Sequence, residues 1–545
     1  MSGVVSALEI WMFRARLLVA TTLAATAAAV PHARAQGQAD ARLSSIEAQI
    51  RSLQAELSRV RRDLATSRGE LRASRSRPAA PAVAQGSAQG GGAPPGSAAT
   101  ASSGNAGVNS ATPISNVAPP QSSGSPARAN PGGVSFPAGR PTFTSDDGRF
   151  SAAFGLQLHY DVGGYFQGNV NPNAGVPRLN TFGENLRRAR LPFVFKYDDF
   201  QINLTPDFGG SPDGSPTLYE ANINWTPKGT KLTATVGYFK PWLTLGDSTS
   251  SNDFLFLERP SIVEASRNIA GGDARSSVGA RYAADRYFLA GYLTGGSYGS
   301  QTAAVARPQQ TGVTLRAAGR PVASDDVDLH VGFSASDAFR IQRTANGQTL
   351  TVQDRPELRI DNNRLVSTGA LNARSAYTYG PELGLRWRNF MVQGEYIRIG
   401  VDRTDGGARL ATPGLEFDGG YVEGSWMITG ESRKYSANAA AFGGPKVARP
   451  FSLKDGGYGA FELVGRYSHI NLNDKVSRGT AAAAGGGVYG GEQNVYSVGV
   501  NWYPNDLLRL MLDYDIINVD RLNAAGTTQI GQRIQAVALR AQAAF

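Results

Sequence analysis

The sequence predicts an all-β protein, a transmembrane antiparallel β-barrel of about sixteen strands, preceded by an α-helical coiled coil and a disordered linker. Three observations carry this. From Arg149 onward, apolar residues alternate with polar ones in segment after segment; the connections between segments are alternately long and short; and beyond residue 35 no apolar run reaches the length of a membrane helix.

The amino terminus supplies the export signal. Arg14 and Arg16 precede a stretch of small and apolar residues from Leu17 to Val30, and Ala33-Arg34-Ala35 offers a cleavage site before Gln36. Residues 1–35 therefore read as a signal peptide. A membrane anchor fits less well, because the stretch is short and mostly Ala and Thr. Met12 is a more ordinary start than Met1, since Glu9 sits poorly in a basic leader.

Residues 40–75 carry a heptad seam: Leu43, Ile46, Ile50, Leu53, Leu57, Val60 and Leu64, continued by Leu71. With Leu43, Ile50, Leu57 and Leu64 at a positions, Glu56 faces Arg61, and Asp63 faces Arg68, across parallel helices. Arg42-Leu43-Ser44-Ser45-Ile46-Glu47 resembles a short motif that favours three strands, so the oligomer expected is a homotrimer. Residues 76–141 are rich in Ala, Gly, Ser and Pro, too poor in large apolar groups to offset the entropy of ordering, and read as a flexible linker.

Residues 142–545 are assigned to the barrel. Phe150, Ala152, Phe154, Leu156, Leu158, Tyr160 and Val162 share one face, and Gln157, His159 and Asp161 the other. Leu383, Leu385 and Trp387 alternate in the same way with Glu382, Arg386 and Arg388, and Leu508, Leu510 and Leu512 with Arg509, Asp513 and Asp515. A soluble β-sandwich also alternates. Three features favour lipid instead. Aromatic residues stand near strand ends on the apolar face, at Tyr160, Trp225, Tyr238, Tyr282, Tyr292, Tyr467, Trp502 and Tyr514, where a girdle belongs. Tight turns recur at Asp198-Asp199, Pro227-Lys228, Ala284-Asp285, Arg388-Asn389 and Pro504-Asn505. The chain ends at Phe545 after outward Val537, Leu539, Ala541 and Ala543, and a final strand of this kind resembles the insertion signal of outer-membrane barrels. Two irregularities stand out: a long stretch from Thr429 to Tyr458 where a short turn belongs, and Pro192 inside the second strand, where a ladder hydrogen bond is lost.

Composition narrows the chemistry. The formal charge is +10, and there is no cysteine, so thiolate metal sites, disulfides and cysteine nucleophiles are excluded. A basic balance points to an anionic partner. Gly295-Gly296-Ser297-Tyr298-Gly299 matches a nucleophile elbow but falls in a loop rather than between strand and helix. His159, His330 and His469 lie on separate strands without ligand spacing. No enzyme, metal or cofactor is expected, and an exported chain with dispersed basic residues is not a nucleic-acid binder.

Val236-Gly237-Tyr238-Phe239-Lys240-Pro241, Thr249-Ser250-Ser251-Asn252-Asp253 and Phe256-Leu257-Glu258-Arg259 resemble the strand and inward loop of the phosphate-selective porin O/P family. Arg187-Arg188-Ala189-Arg190-Leu191, Gly380-Pro381, Gln393-Gly394-Glu395-Tyr396, Thr429-Gly430-Glu431-Ser432-Arg433, Gly465-Arg466-Tyr467-Ser468 and Asn501-Trp502-Tyr503-Pro504-Asn505 are similar to further markers of that family, in its order. The resemblance covers about residue 145 to the end. It implies a trimer of sixteen-stranded barrels in the outer membrane, with the third loop folded into each lumen and basic residues guiding anions.

Parity then assigns the lumen. Outward Leu191, Phe193 and Phe195 turn Arg188, Arg190 and Lys196 inward; Arg187 shares the lipid parity and is expected to snorkel at the strand end. The same test sends Arg281, Arg316, Arg320, Arg386, Arg388 and Arg466 inward, because a cation on the lipid face near the midplane costs about 2–4 kcal/mol. Guanidinium suits an anion path, since it stays charged and its fork of donors fits phosphate oxygens. The bland reading is bracing, in which these arginines pair with Glu220, Glu382, Glu395 and Glu462. Residues 241–274 form the expected constriction, where Ser250 and Ser251 offer hydroxyls flanked by Lys240, Arg259, Arg267 and Arg275. The function expected is passive diffusion of small anions, phosphate first. The alternatives are a general pore with weak charge bias, and an envelope tether in which the coiled coil contacts the cell wall.

Overall fold

The computed structural model describes residues 132–168, 170–174, 178–210, 217–272, 274–297, 309–344, 347–404 and 412–545. The leader, the heptad residues Leu43 to Leu64 and the linker up to residue 131 lie outside them.

Sixteen antiparallel strands form the wall. In chain order β1 comprises Phe150–Phe154 and Gln157–Phe166, β2 Gly183–Arg190 and Phe193–Tyr197, β3 Phe200–Asp207, and β4 Thr217–Trp225. Next come β5 Leu232–Phe239, β6 Arg275–Ala283, β7 Tyr287–Ser297, β8 Thr311–Ala323, and β9 Val327–Arg340. They are followed by β10 Leu371–Trp387, β11 Phe390–Arg403, β12 Leu415–Met427, and β13 Ala460–Asp474. The last are β14 Val488–Tyr503, β15 Leu508–Asp520 and β16 Arg533–Ala544. Each pairs with the next, and β16 pairs with β1 through Arg540↔Asp161, so the sixteen strands close into a barrel. Pro192 breaks β2, and its carbonyl accepts from Gly155 N–H at 2.8 Å, where β1 breaks as well.

The ordered wall starts earlier than composition suggests. Gly133–Ser135 pairs with Thr142–Thr144, which pairs in turn with Thr142↔Ala153 of β1, so residues 132–141 of the expected linker belong to a short hairpin. Phe143 meets Phe154 edge to face at 5.8 Å, extending the apolar outer face.

Alternation in the middle of the wall follows the lipid rule: Leu383, Leu385 and Trp387 are exposed outside while Glu382 and Arg386 are buried inside. Near the long-loop end of β11–β15 the polarity inverts. Ile397, Ile399, Phe417, Ile470 and Ile517 are buried inside, whereas Arg398 and Glu416 stand outside, 3.5 Å apart. The cause is what fills the lumen there. Loop 3 (240–274) and loop 5 (341–370) fold inward, and their Leu257, Ile262, Val263, Val352 and Leu358 join those wall residues in one apolar cluster. Loop 3 carries two short helices, α1 Leu245–Ser248 and α2 Ser261–Arg267.

The long stretch after Thr429 hides no miscounted strand pair. It is an elaborated turn whose hairpin, Arg433–Ser436 with Ala441–Pro445, enters the opposite end of the lumen. Arg316 holds it, donating to the carbonyls of Ala439 and Ala440 at 2.7 Å each.

One expected girdle residue is misplaced by parity. Tyr292 faces the lumen, buried against Phe239 at 5.4 Å, because on β7 both faces carry apolar residues and Leu289 and Leu293 take the lipid side.

Candidate functional site

Loop 3 crosses the lumen and is tied to the wall at several points. Glu395 of β11 accepts the backbone N–H groups of Leu245 at 2.5 Å and Gly246 at 2.8 Å, and the Tyr421 hydroxyl at 2.9 Å. On the far side Asp513 of β15 accepts Leu257 N–H at 2.7 Å, and Asn501 of β14 donates to the Leu255 carbonyl at 3.1 Å.

Within the loop, Asp247 gathers three of the predicted cations. Its carboxylate lies 2.6 Å from Arg267, 3.3 Å from Lys240 and 3.9 Å from Arg259. Burial alone would raise the Asp247 carboxyl, but Lys240, Arg267 and Arg259 together hold it well below the usual carboxylate range. These cations are an internal brace of the loop rather than open donors.

A second cluster forms where loop 3 meets β1, β2 and β16. Glu258 is approached by Arg187 at 2.6 Å, Arg540 at 3.2 Å, Arg359 at 3.4 Å and Arg188 at 4.0 Å. Arg540 also grips Asp161 at 2.6 Å, and Arg359 reaches Glu264 at 2.6 Å. Burial tends to raise the Glu258 carboxyl, yet the surrounding guanidiniums hold it well below its ordinary value.

Arg187 does not snorkel. The register shifts between His159 and Tyr160 where they oppose β2, a bulge that turns Arg187 inward and leaves it 1% exposed. Arg188 and Arg190 face the lumen as parity requires. Arg190 pairs with Asp207 at 2.7 Å and stacks over Tyr219 at 3.9 Å. Arg188 lies 3.1 Å from His159 Nδ1. Guanidinium only donates, so Nδ1 is the acceptor, Nε2–H donates to Asn252 Oδ1 at 2.9 Å, and the imidazole is neutral.

The serines of loop 3 divide. Ser251 is buried and accepts from Gln157 Nε2 at 2.8 Å, whereas the Ser250 hydroxyl accepts Asn252 N–H at 3.3 Å and is half-buried. Arg509 of β15 donates to the Asn252 carbonyl at 3.2 Å, bringing a wall cation to the tip of the loop.

Several predicted pathway residues are placed otherwise. Arg388 is not in the lumen. It occupies the turn after β10 with φ 52°, its side chain 65% exposed and 3.5 Å from Asp326. Arg386 is inside but engaged by Asp328 at 2.6 Å, Ser432 and two turn carbonyls. Arg316 is committed to Glu382 at 2.9 Å besides the inserted hairpin, and Arg466 to Glu357 at 2.7 Å and the Glu258 carbonyl at 2.8 Å. Arg320 pairs with Asp328. Of the acids named as braces, Glu382 and Glu462 hold arginines, while Glu395 holds backbone instead. Lys196 and Arg281 are half-buried towards the short-turn end, and Arg281 lies 5.4 Å from the Trp242 ring. Arg275 is buried at the loop end and reaches the Ile269 carbonyl.

The family model described as phosphate-selective porin O and P matches residues 153–545. The chain belongs to the phosphate-selective porin O and P family. It is thus an outer-membrane channel by family, and a channel rather than an enzyme. An uncharacterized protein of Caulobacter vibrioides is 27% identical over 430 residues, 75% of this chain and 76% of the relative. Porin O of Pseudomonas aeruginosa is 28% identical over 134 residues, 24% of this chain and 28% of that protein. Among solved structures, the trimer form of OmpT of Vibrio cholerae covers 73% of this chain and 99% of its own at 12% identity, with a TM-score of 0.43.

Parity missed some residues of this porin's site. Arg540 was readable, since its neighbours Leu539 and Ala541 face out. Arg355, Arg359 and Arg364 sit in loop 5, which has no period to read.

Proposed function

We propose that this porin conducts small anions by passive diffusion, with phosphate preferred, as a homotrimer. The observation that carries this is the local charge imbalance of the two ion-pair clusters at Asp247 and Glu258, apart from the carboxylates Asp253, Glu357, Glu395 and Asp513 that lie in or meet other parts of loop 3. Arg187, Arg188, Arg359, Arg540, Lys240, Arg259 and Arg267 are seven cations; Asp161, Asp247, Glu258 and Glu264 are four carboxylates, which leaves three positive charges. In a narrow passage with low-dielectric walls such a surplus concentrates anions and repels cations. Weak sites in series let an ion leave as well as enter. Ahead of residue 132, the signal peptide over 1–35 directs export, the heptads over 40–75 join three chains, and the linker spaces them from the barrel in the periplasm.

Single-channel current in potassium chloride, with phosphate titrated in, tests this. Reversal potentials near that of chloride and a saturable block by phosphate are expected. Equal passage of cations, with no effect of phosphate, overturns it. A general pore with weak charge bias is the second reading, favoured by the engagement of Arg316, Arg386 and Arg466 with protein acceptors. Anion preference without phosphate block would select it.

A further inference from the structure

Between α2, the first residue of β6, the last of β7 and loop 5 lies a cavity of about 200 Å³ at the long-loop end of the lumen. A single water needs only about 10–15 Å³ on this measure, so the space holds far more than one small ion with a few waters. Its lining is of mixed chemistry. Arg355 is 8% exposed, and its Nε and Nη1 have no hydrogen-bond partner among the described residues; its Nη2 donates to Asn362 at 3.0 Å. Arg364 Nη1 is likewise buried without a partner among the described residues. These nitrogens are donors awaiting an acceptor, and burial makes leaving them unmet costly. The rest of the lining is suited to something else. Thr351 and Gln353 present a hydroxyl and an amide, and Asp354 and Glu264 present carboxylates, which repel a bare oxyanion but accept from hydroxyl groups.

We propose that this cavity binds a phosphomonoester of a polyhydroxylated molecule, the phosphoryl group on Arg355 and Arg364 and the hydroxylated body along Thr351, Gln353 and Asp354. The assignment rests on the anion-porin reading above and sharpens it. An inorganic anion would use only the guanidinium side and leave the Asp354 carboxylate and the Thr351 and Gln353 polar groups unmatched, Glu264 being paired with Arg359 at 2.6 Å. A phosphorylated polyol satisfies both sides at once, with donors to the carboxylates and acceptors for the guanidiniums. The site is a waiting station at the loop end, ahead of the charge cluster at Glu258.

The test is current block in the full-length porin in planar bilayers, with glucose 6-phosphate, inorganic phosphate or glucose added on the long-loop side. Glucose 6-phosphate is expected to block at a concentration about tenfold below that of phosphate, and glucose not to block. Arg355→Gln combined with Arg364→Gln should erase that advantage while phosphate block is retained, which also shows the barrel folded. Should that variant yield no channels, Thr351→Ala with Gln353→Ala serves instead, and should weaken glucose 6-phosphate block alone. Equal potency of the two phosphates in the wild type, or an advantage that survives these substitutions, overturns the proposal. Failure of both phosphates to block overturns the phosphate preference beneath it as well.

Discussion

The carboxylate of Glu395 on β11 accepts the backbone N–H of Leu245 at 2.5 Å, so one wall residue holds the first turn of the helix with which loop 3 starts across the lumen. Charge-assisted bonds of this kind contribute about 1.5–3 kcal/mol each. Glu395→Ala is expected to free the near arm of the loop, giving larger and noisier single-channel currents and a lower unfolding temperature in detergent. Unchanged current noise would show that the loop is held by its other ties alone.

A row of hydroxyls lies beneath that arm. Tyr292, Thr314, Ser336 and Thr378 are cross-strand neighbours on β7 to β10, buried, and without a hydrogen-bond partner among the described residues. An unmet buried hydroxyl costs about 1–3 kcal/mol, whereas an apolar group of the same shape costs nothing in hydrogen bonding. Thr314→Val should therefore raise the unfolding temperature by a few degrees without altering the heat-modifiable mobility of the barrel. A lowered temperature would indicate that Thr314 is hydrated through the lumen.

Arg188 and Arg388 make a matched contrast. The first lies in the charge cluster at Glu258, the second in an exposed turn beside Asp326. Arg188→Gln should reduce the chloride-over-potassium permeability ratio severalfold, and Arg388→Gln should leave it unaltered. Arg190→Glu should also weaken anion preference, with a loss of stability, because it sets a second carboxylate against Asp207. Equal effects at 188 and 388 would reject the lumen assignment.

Block by glucose 6-sulfate, a hydroxylated anion whose charge is constant from pH 5 to 8, should strengthen as pH falls. Burial, and after it the negative charge of Glu264, push the Asp354 carboxyl up to about 7 against the opposing pull of Arg359 and Arg364. The other charged groups lining the cavity, Arg275 and Arg355, remain cationic across this range. Protonation of Asp354 below pH 7 removes a negative charge and leaves the cavity more attractive to an anion; above pH 7 the charge returns and block weakens. Asp354→Asn should flatten the profile at its low-pH level, and a wild-type profile that is already flat would exclude this control.

Strand faces were legible because lipid imposes a rule on every second residue: Leu191 and Phe193 place Arg188 and Arg190 without further information. Partners were not legible. Arg316 is completed by carbonyls of Ala439 and Ala440, more than a hundred positions away in an insert without periodicity. The rule also fails where its premise does. At Arg187 a bulge slips the register, on β7 both faces are apolar, and near Ile397 and Phe417 the inside is greasy because loops pack there. Arg388 escapes the rule by a single position, since the strand ends at Trp387.

Arg540 belongs to the last strand, yet it holds Asp161 of the first and, through Glu258 and the Leu257 carbonyl, the loop that fills the interior. Sealing the cylinder and seating its constriction therefore draw on one guanidinium, which is fully matched only when the third loop lies inside.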